Sequence, residues 1–81
     1  MKNLATALES YVTSDFYLAC FLKASGMKLR EPQRDGRRTL FVFEDRQDRE
    51  DLIRAFYNDG RINVSAFTHA IQDLKAVIYN W

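Results

Sequence analysis

The sequence predicts a small α+β domain: a two-stranded antiparallel β-hairpin packed on three to four helices, in the order (α)-α-β-β-α-α. Three observations predict it. An Asp35-Gly36 pair separates two extended-favouring runs, "MKLREPQ" and "RRTLFVFE", which is the signature of a tight hairpin. A well-capped apolar run precedes this hairpin. Two segments with helical spacing of apolar residues follow it.

The elements follow in chain order. In "NLATALESYV", Leu4, Leu8, Tyr11 and Val12 recur at helical spacing, so residues 1–12 are expected to hold a loosely attached N-terminal helix. In "VTSDFYLACFLKASGMKL" the helix is clearer. Thr13 or Ser14 caps its start, Asp15 suits the positive end of the dipole, and Gly26 stands where a helix reverses out of its last turn. Pro32 marks the first hairpin strand as an edge, and Thr39 to Phe43 favour the second strand. The next helix starts within "EDRQDREDLIRAFYNDG", whose acidic residues crowd the first turns. Its apolar stripe is Leu52, Ile53, Phe56 and Tyr57. The last helix, "NVSAFTHAIQDLKAVIYNW", is capped by Asn63 or Ser65 and buries Phe67, Ala70, Ile71, Leu74, Val77 and Ile78. The expected core is Leu18, Phe21, Leu22, Leu40, Val42, Leu52, Ile53, Phe56, Phe67, Ile71, Leu74 and Ile78.

At 81 residues one domain spanning 1–81 is expected. A chain of this size buries only roughly 60–65% of the surface its unfolded form exposes. Cys20 is the only cysteine and His69 the only histidine, so neither an internal disulfide nor a Cys/His zinc framework supports the fold. The 47% hydrophobic and 14% aromatic content is enough for a core and unlike a disordered chain. Net charge is +1, which argues against a partner recognised by bulk electrostatics. The longest apolar run, "FYLACFL", is seven residues, far short of the roughly 20 that span a bilayer. The first residues lack a charged stretch followed by an apolar one. With the lone apolar-flanked thiol, this predicts a cytoplasmic protein without membrane contact.

The segments "TSDFYLACFLKASG", "RDGRRTLFVFED", "RAFYN" and "IQDLKAVIYN" together resemble a family of small prokaryotic and viral proteins catalogued as a domain of unknown function. The shared pattern runs from about Tyr11 to Asn80. The resemblance implies a small standalone protein of phage-like or mobile genomic settings. It transfers no catalytic or binding residue.

The hairpin carries the candidate chemistry. Side chains alternate along a strand, so Thr39, Phe41 and Phe43 share one face while Leu40 and Val42 share the other. Both faces are apolar, one more than a hairpin on helices needs. The second is covered by the N-terminal helix with Trp81, by a second copy of the chain, or by a ligand such as stacked bases. Thr39, Phe41 and Phe43 are the candidate interface residues. Between Lys28 and Arg38, the cations Lys28, Arg30, Arg34, Arg37 and Arg38 outnumber Glu31 and Asp35 by three. Concentrated on a loop, they suit phosphate. The plainer reading is an edge strand charged against aggregation. An RNA-recognition strand motif fails here, because "RRTLFVFE" lacks the glycine and ends on a carboxylate.

Other features carry less. Residues 44–51 hold five carboxylates and two arginines; pairs such as Asp45 with Arg49 and Glu50 with Arg54 make this a solvated helix start. The alternative is a dipolar molecule that docks head to tail. The interleaved arginines make the run a poor metal cage. Cys20 reads as a buried structural thiol and His69 as a surface residue without a catalytic partner. Gly26, Gly36 and Gly60 punctuate element ends and form no phosphate loop. The expectation is a binding protein without catalytic residues, metal or small-molecule cofactor. Its partner is DNA or RNA, held as an accessory protein of a phage or mobile element, or else a second copy or another protein, which it serves as interaction module or inhibitor.

Overall fold

A computed structural model describes residues 9–80 of the chain. Among them the order is β1 (Ser10–Thr13), α1 (Phe16–Ala24), β2 (Gln33–Asp35), β3 (Arg38–Glu44), α2 (Arg49–Tyr57) and α3 (Val64–Asn80). The class is α+β, with three helices and a three-stranded antiparallel sheet ordered β1-β3-β2. The expected two-stranded hairpin thus gains a strand, and the expected N-terminal helix is corrected in part. Tyr11 and Val12 belong to β1, pairing with Phe43 and Val42, while Leu4 and Leu8 lie outside the described residues. "SYVT" is rich in β-favouring side chains, and the free edge of β3 supplies the partner that overrides their helical spacing.

The hairpin closes at Gly36–Arg37, between the paired Asp35 and Arg38. Gly36 has φ +64 and Arg37 is not left-handed, so the positive φ falls on the first central residue, as in a type II′ turn. Asp35 is therefore the flank of the turn and not one of its two central residues. Leu29 bridges to Phe43 while Gln33 pairs with Leu40. Residues 30–32 accordingly face only 41–42 on β3, a one-residue bulge. Pro32 sits in it, where a missing N–H breaks no ladder bond.

Helix α1 is the centre of the molecule. Leu18, Ala19, Cys20, Phe21 and Leu22 are all buried, as expected of a helix that is apolar all round. It packs on the sheet, on α2 and most extensively on α3. Its N-cap is Asp15, whose Oδ1 accepts from Leu18 N at 3.1 Å, rather than Thr13 or Ser14; the Thr13 hydroxyl instead accepts from Asp15 N at 3.1 Å. At the other end Gly26 N donates to Lys23 O at 3.0 Å and Met27 N to Leu22 O at 3.1 Å. This is a Schellman motif, and Met27 and Leu22 complete it as buried neighbours in the core. Gly26 has φ +101, so Gly26→Ala is expected to lower stability by about 1 kcal/mol or more, read as a shift in the urea midpoint at unchanged slope.

The core joins Leu18, Ala19, Cys20 and Leu22 of α1 to Met27, Phe41, Phe43, Ala70 and Leu74. Leu52, Ile53, Phe56, Phe67 and Ile71 pack half-buried around it. Two expectations need correction. Leu40 is only half-buried, and Ile78 is 37% exposed. The cause of the second is length: at about 1.5 Å per residue, α3 with 17 residues overhangs α1 with nine. Asn63 caps α3, its Oδ1 accepting from Ala66 N at 2.9 Å.

Candidate functional site

The register decides which way the hairpin cations face. Phe41 and Phe43 turn inward beneath α1 and are 2% and 0% exposed. By alternation Arg38, Leu40, Val42 and Glu44 turn to the opposite side. Directly paired residues share a face, so Asp35, Gln33 and Val12 lie on that outer side too, while Arg34 lies with Thr39 on the helix side. Glu44 N donates to Lys28 O at 2.9 Å and Arg30 N to Val42 O at 2.6 Å, which continues the pattern and sets Lys28 and Arg30 on the outer side. Of the five predicted cations, three thus line one sheet face, Arg37 occupies the turn, and Arg34 stands apart.

Their pairing is uneven. Arg30 reaches Glu44 at 3.8 Å and Arg38 reaches Asp35 at 3.4 Å; Arg34 is engaged as well. Among the described residues Lys28 and Arg37 have no carboxylate partner. Ion pairs this long and this exposed contribute little to stability.

The interface expected at Thr39, Phe41 and Phe43 is corrected. Both rings belong to the chain's own core, because α1 lies on that face, and Thr39 is half-buried. The outer face holds the smaller Leu40 and Val42, with Val12 42% exposed. Trp81, named as one possible cover, lies outside the described residues.

The carboxylates of the charged run 44–51 are paired, two of them by Arg30 and Arg54 from outside the run. Arg49 grips Asp45 with two bonds, Nε to Oδ1 at 3.1 Å and Nη2 to Oδ2 at 3.2 Å, and lies 4.6 Å over the Tyr11 ring. Arg46 grips Asp48 at 2.9 and 2.7 Å and donates to Ser25 O, at the carboxyl end of α1, at 3.2 Å. The arginines therefore staple β1 and α1 to the start of α2. The Asp45–Arg49 pair is present as expected, whereas Arg54 pairs with Asp51 instead of Glu50.

These pairs make stability pH-dependent. The bond from Arg49 holds the Asp45 carboxyl below the usual carboxylate range, and the bond from Arg46 does the same for Asp48. Both groups bind protons less readily folded than unfolded. Their contribution is thus complete above the unfolded value of about 3.9 and is lost as pH falls through the lowered folded values. Asp45→Asn is expected to cost about 1 kcal/mol or less at neutral pH. Urea titrations should show that difference shrinking toward zero in strong acid.

At the opposite end of α1 lies a feature the sequence reading missed. Tyr17 and Tyr57 are 59% and 64% exposed. The Tyr57 hydroxyl donates to Asp15 Oδ2 at 3.2 Å, and desolvation followed by that carboxylate raises its pKa. Arg38 Nη1 donates to Ser14 Oγ at 3.5 Å, bringing the hairpin turn alongside. A run apolar on every side, "FYLACFL", must expose something at its first turn; which residue it exposes depends on where the neighbouring helices end.

Among the described residues no group of three or more His, Cys, Asp or Glu side chains is placed to hold a metal, and no helix is long and apolar enough to cross a membrane. Cys20 is buried, and burial with the Asp15 charge pushes its thiol up to about 11, so it is unreactive at neutral pH. His69 is exposed on α3. A shallow depression of about 200 Å³ is lined by Glu9, Asp45, Arg46 and Gln47, but the charges of Asp45 and Arg46 are already taken up by Arg49 and Asp48.

A family model, that of a domain of unknown function (DUF5659), matches residues 8–80. The chain belongs to this family. No curated protein and no solved structure matches it. Membership in DUF5659 takes in every described element from β1 to α3 and assigns no residue a role.

Proposed function

We propose that this DUF5659 protein is a non-enzymatic nucleic-acid-binding protein whose hairpin cations contact phosphate. One observation carries the reading: Lys28, Arg30 and Arg38 share the sheet face turned away from the helices, with Arg37 at the turn beyond them. Arginine suits phosphate through its paired donors, and such contacts position a ligand without reading its sequence. Among the described residues the outer face offers Val12 and Leu40, with Val42 buried, and no aromatic ring, so base stacking on this sheet is not part of the proposal. A cytoplasmic setting and an accessory role in a phage or mobile element belong to the same reading.

The alternative, a homodimer or inhibitor acting through Thr39, Phe41 and Phe43, requires rings that the monomer already buries. The test is a titration of DNA and RNA, single- and double-stranded, at two salt concentrations. The expected result is binding that weakens with salt, with Arg37→Ala lowering the slope of log K against log salt by about one. Absence of binding to every nucleic acid at low salt contradicts the reading.

A further inference from the structure

We propose that Tyr17 and Tyr57 form a stacking platform for unpaired bases, so that the ligand is single-stranded nucleic acid; this rests on the function proposed above. Both tyrosines are anchored through neighbouring aromatic rings. Tyr17 shares a helix face with Phe21, one turn on. The Phe21 ring meets Phe56 at 5.6 Å, and Phe56 meets Tyr57 edge-on at 5.0 Å. The Tyr57 hydroxyl then returns to Asp15, the cap of the helix that bears Tyr17. Phe16 braces Tyr17 from the other side, edge-on at 5.2 Å, and itself rests against Phe41 in the core. Both rings are therefore held in place yet more than half exposed, which lowers the entropy lost when a base stacks on them.

Asp35 is offset by Arg38, whereas Asp15, bonded only to Leu18 N and the Tyr57 hydroxyl, keeps its charge, so the counter-charge for phosphate comes from the hairpin turn. Arg38 also touches Ser14, one residue before the cap, and its neighbour Arg37 has no carboxylate partner among the described residues. Exposed rings beside a cationic turn give bases a surface and phosphates a counter-charge. That combination recognises single strands, because the faces of paired bases are already stacked in a duplex. It is tolerant of sequence, since every base has a π-face.

Fluorescence anisotropy decides the matter, using a labelled mixed-sequence oligonucleotide of about 20 nucleotides, long enough to cover a typical single-strand site, in single-stranded and duplex form. The single strand is expected to bind at least tenfold tighter. Tyr17→Ala and Tyr57→Ala should each weaken it by about five- to hundredfold and leave duplex binding unchanged. Tyr57→Phe keeps the ring while removing the bond to Asp15, and should bind the single strand like the parent. If the alanine variants, shown folded by circular dichroism, bind the single strand as the parent does, the platform is wrong. Equal affinity of the parent for both forms overturns it as well. In either case a loss of affinity in Arg37→Ala leaves the phosphate reading standing. If neither form binds, both proposals fall together.

Discussion

Phe43→Ala is expected to destabilise the protein by about 3–5 kcal/mol, the usual cost of removing a buried phenyl ring. A chain of this length has roughly 4–12 kcal/mol in all, so the variant should be largely unfolded or melt well below the parent. The argument is positional. Phe43 is 0% exposed, pairs with Tyr11 across β1 and bridges to Leu29 on the other side. It therefore ties β1 and the Leu29 segment to the core that α1 helps to build. Denaturation followed by circular dichroism measures the loss. A Phe43→Ala variant as stable as the parent, but altered in self-association, would return Phe43 to an interface.

Leu74→Ala should cost about 2–5 kcal/mol, whereas Ile78→Ala, one turn further along the same stripe, should cost far less. Leu74 is 0% exposed and Ile78 37%, although their spacing makes them equivalent to any periodic reading. The difference arises because α3 is nearly twice as long as α1, and among the described residues Val77 is the last of its side chains packed on the core. Val64 and Tyr79, 78% and 80% exposed at the two ends of the helix, show the same overhang. Urea titration of the two variants checks the contrast; equal losses would mean that the last turn of α3 is buried after all.

How far the fold could be read in advance follows from these cases. Local chemistry was legible: the Schellman ending at Gly26, the Asn63 cap, the helical stripes of α2 and α3 apart from the exposed Tyr57 and Ile78, and the Asp45–Arg49 pair each depend on neighbours within a few residues. Tyr11 and Val12 were not, because their helical spacing competes with a β propensity that only the edge of β3 satisfies. The choice of inward face on β3 was hidden as well. Alternation shows two apolar faces and leaves open which one meets a helix; the larger rings of Phe41 and Phe43 fill the space beneath α1, and Leu40 and Val42 take the outer side. The candidate site divided along the same line. The cations could be listed from sequence, but their separation into an outer face, a turn and an inner position depends on the bulge at Pro32 and on the turn centring at Gly36–Arg37. Exposure of Tyr17 and Tyr57 was out of reach, since it depends on where α2 stops relative to the first turn of α1.

The central claim is that β3 buries the rings of Phe41 and Phe43 under α1, while the most exposed aromatic rings among the described residues are those of Tyr17, Tyr57 and Tyr79. Hydroxyl-radical footprinting with mass spectrometry tests it on the intact protein in one experiment. The account predicts strong protection of Phe41 and Phe43 alongside rapid modification of Tyr17, Tyr57 and Tyr79. Modification of Phe41 and Phe43 at the rate of those tyrosines, in protein shown to be folded, would contradict it.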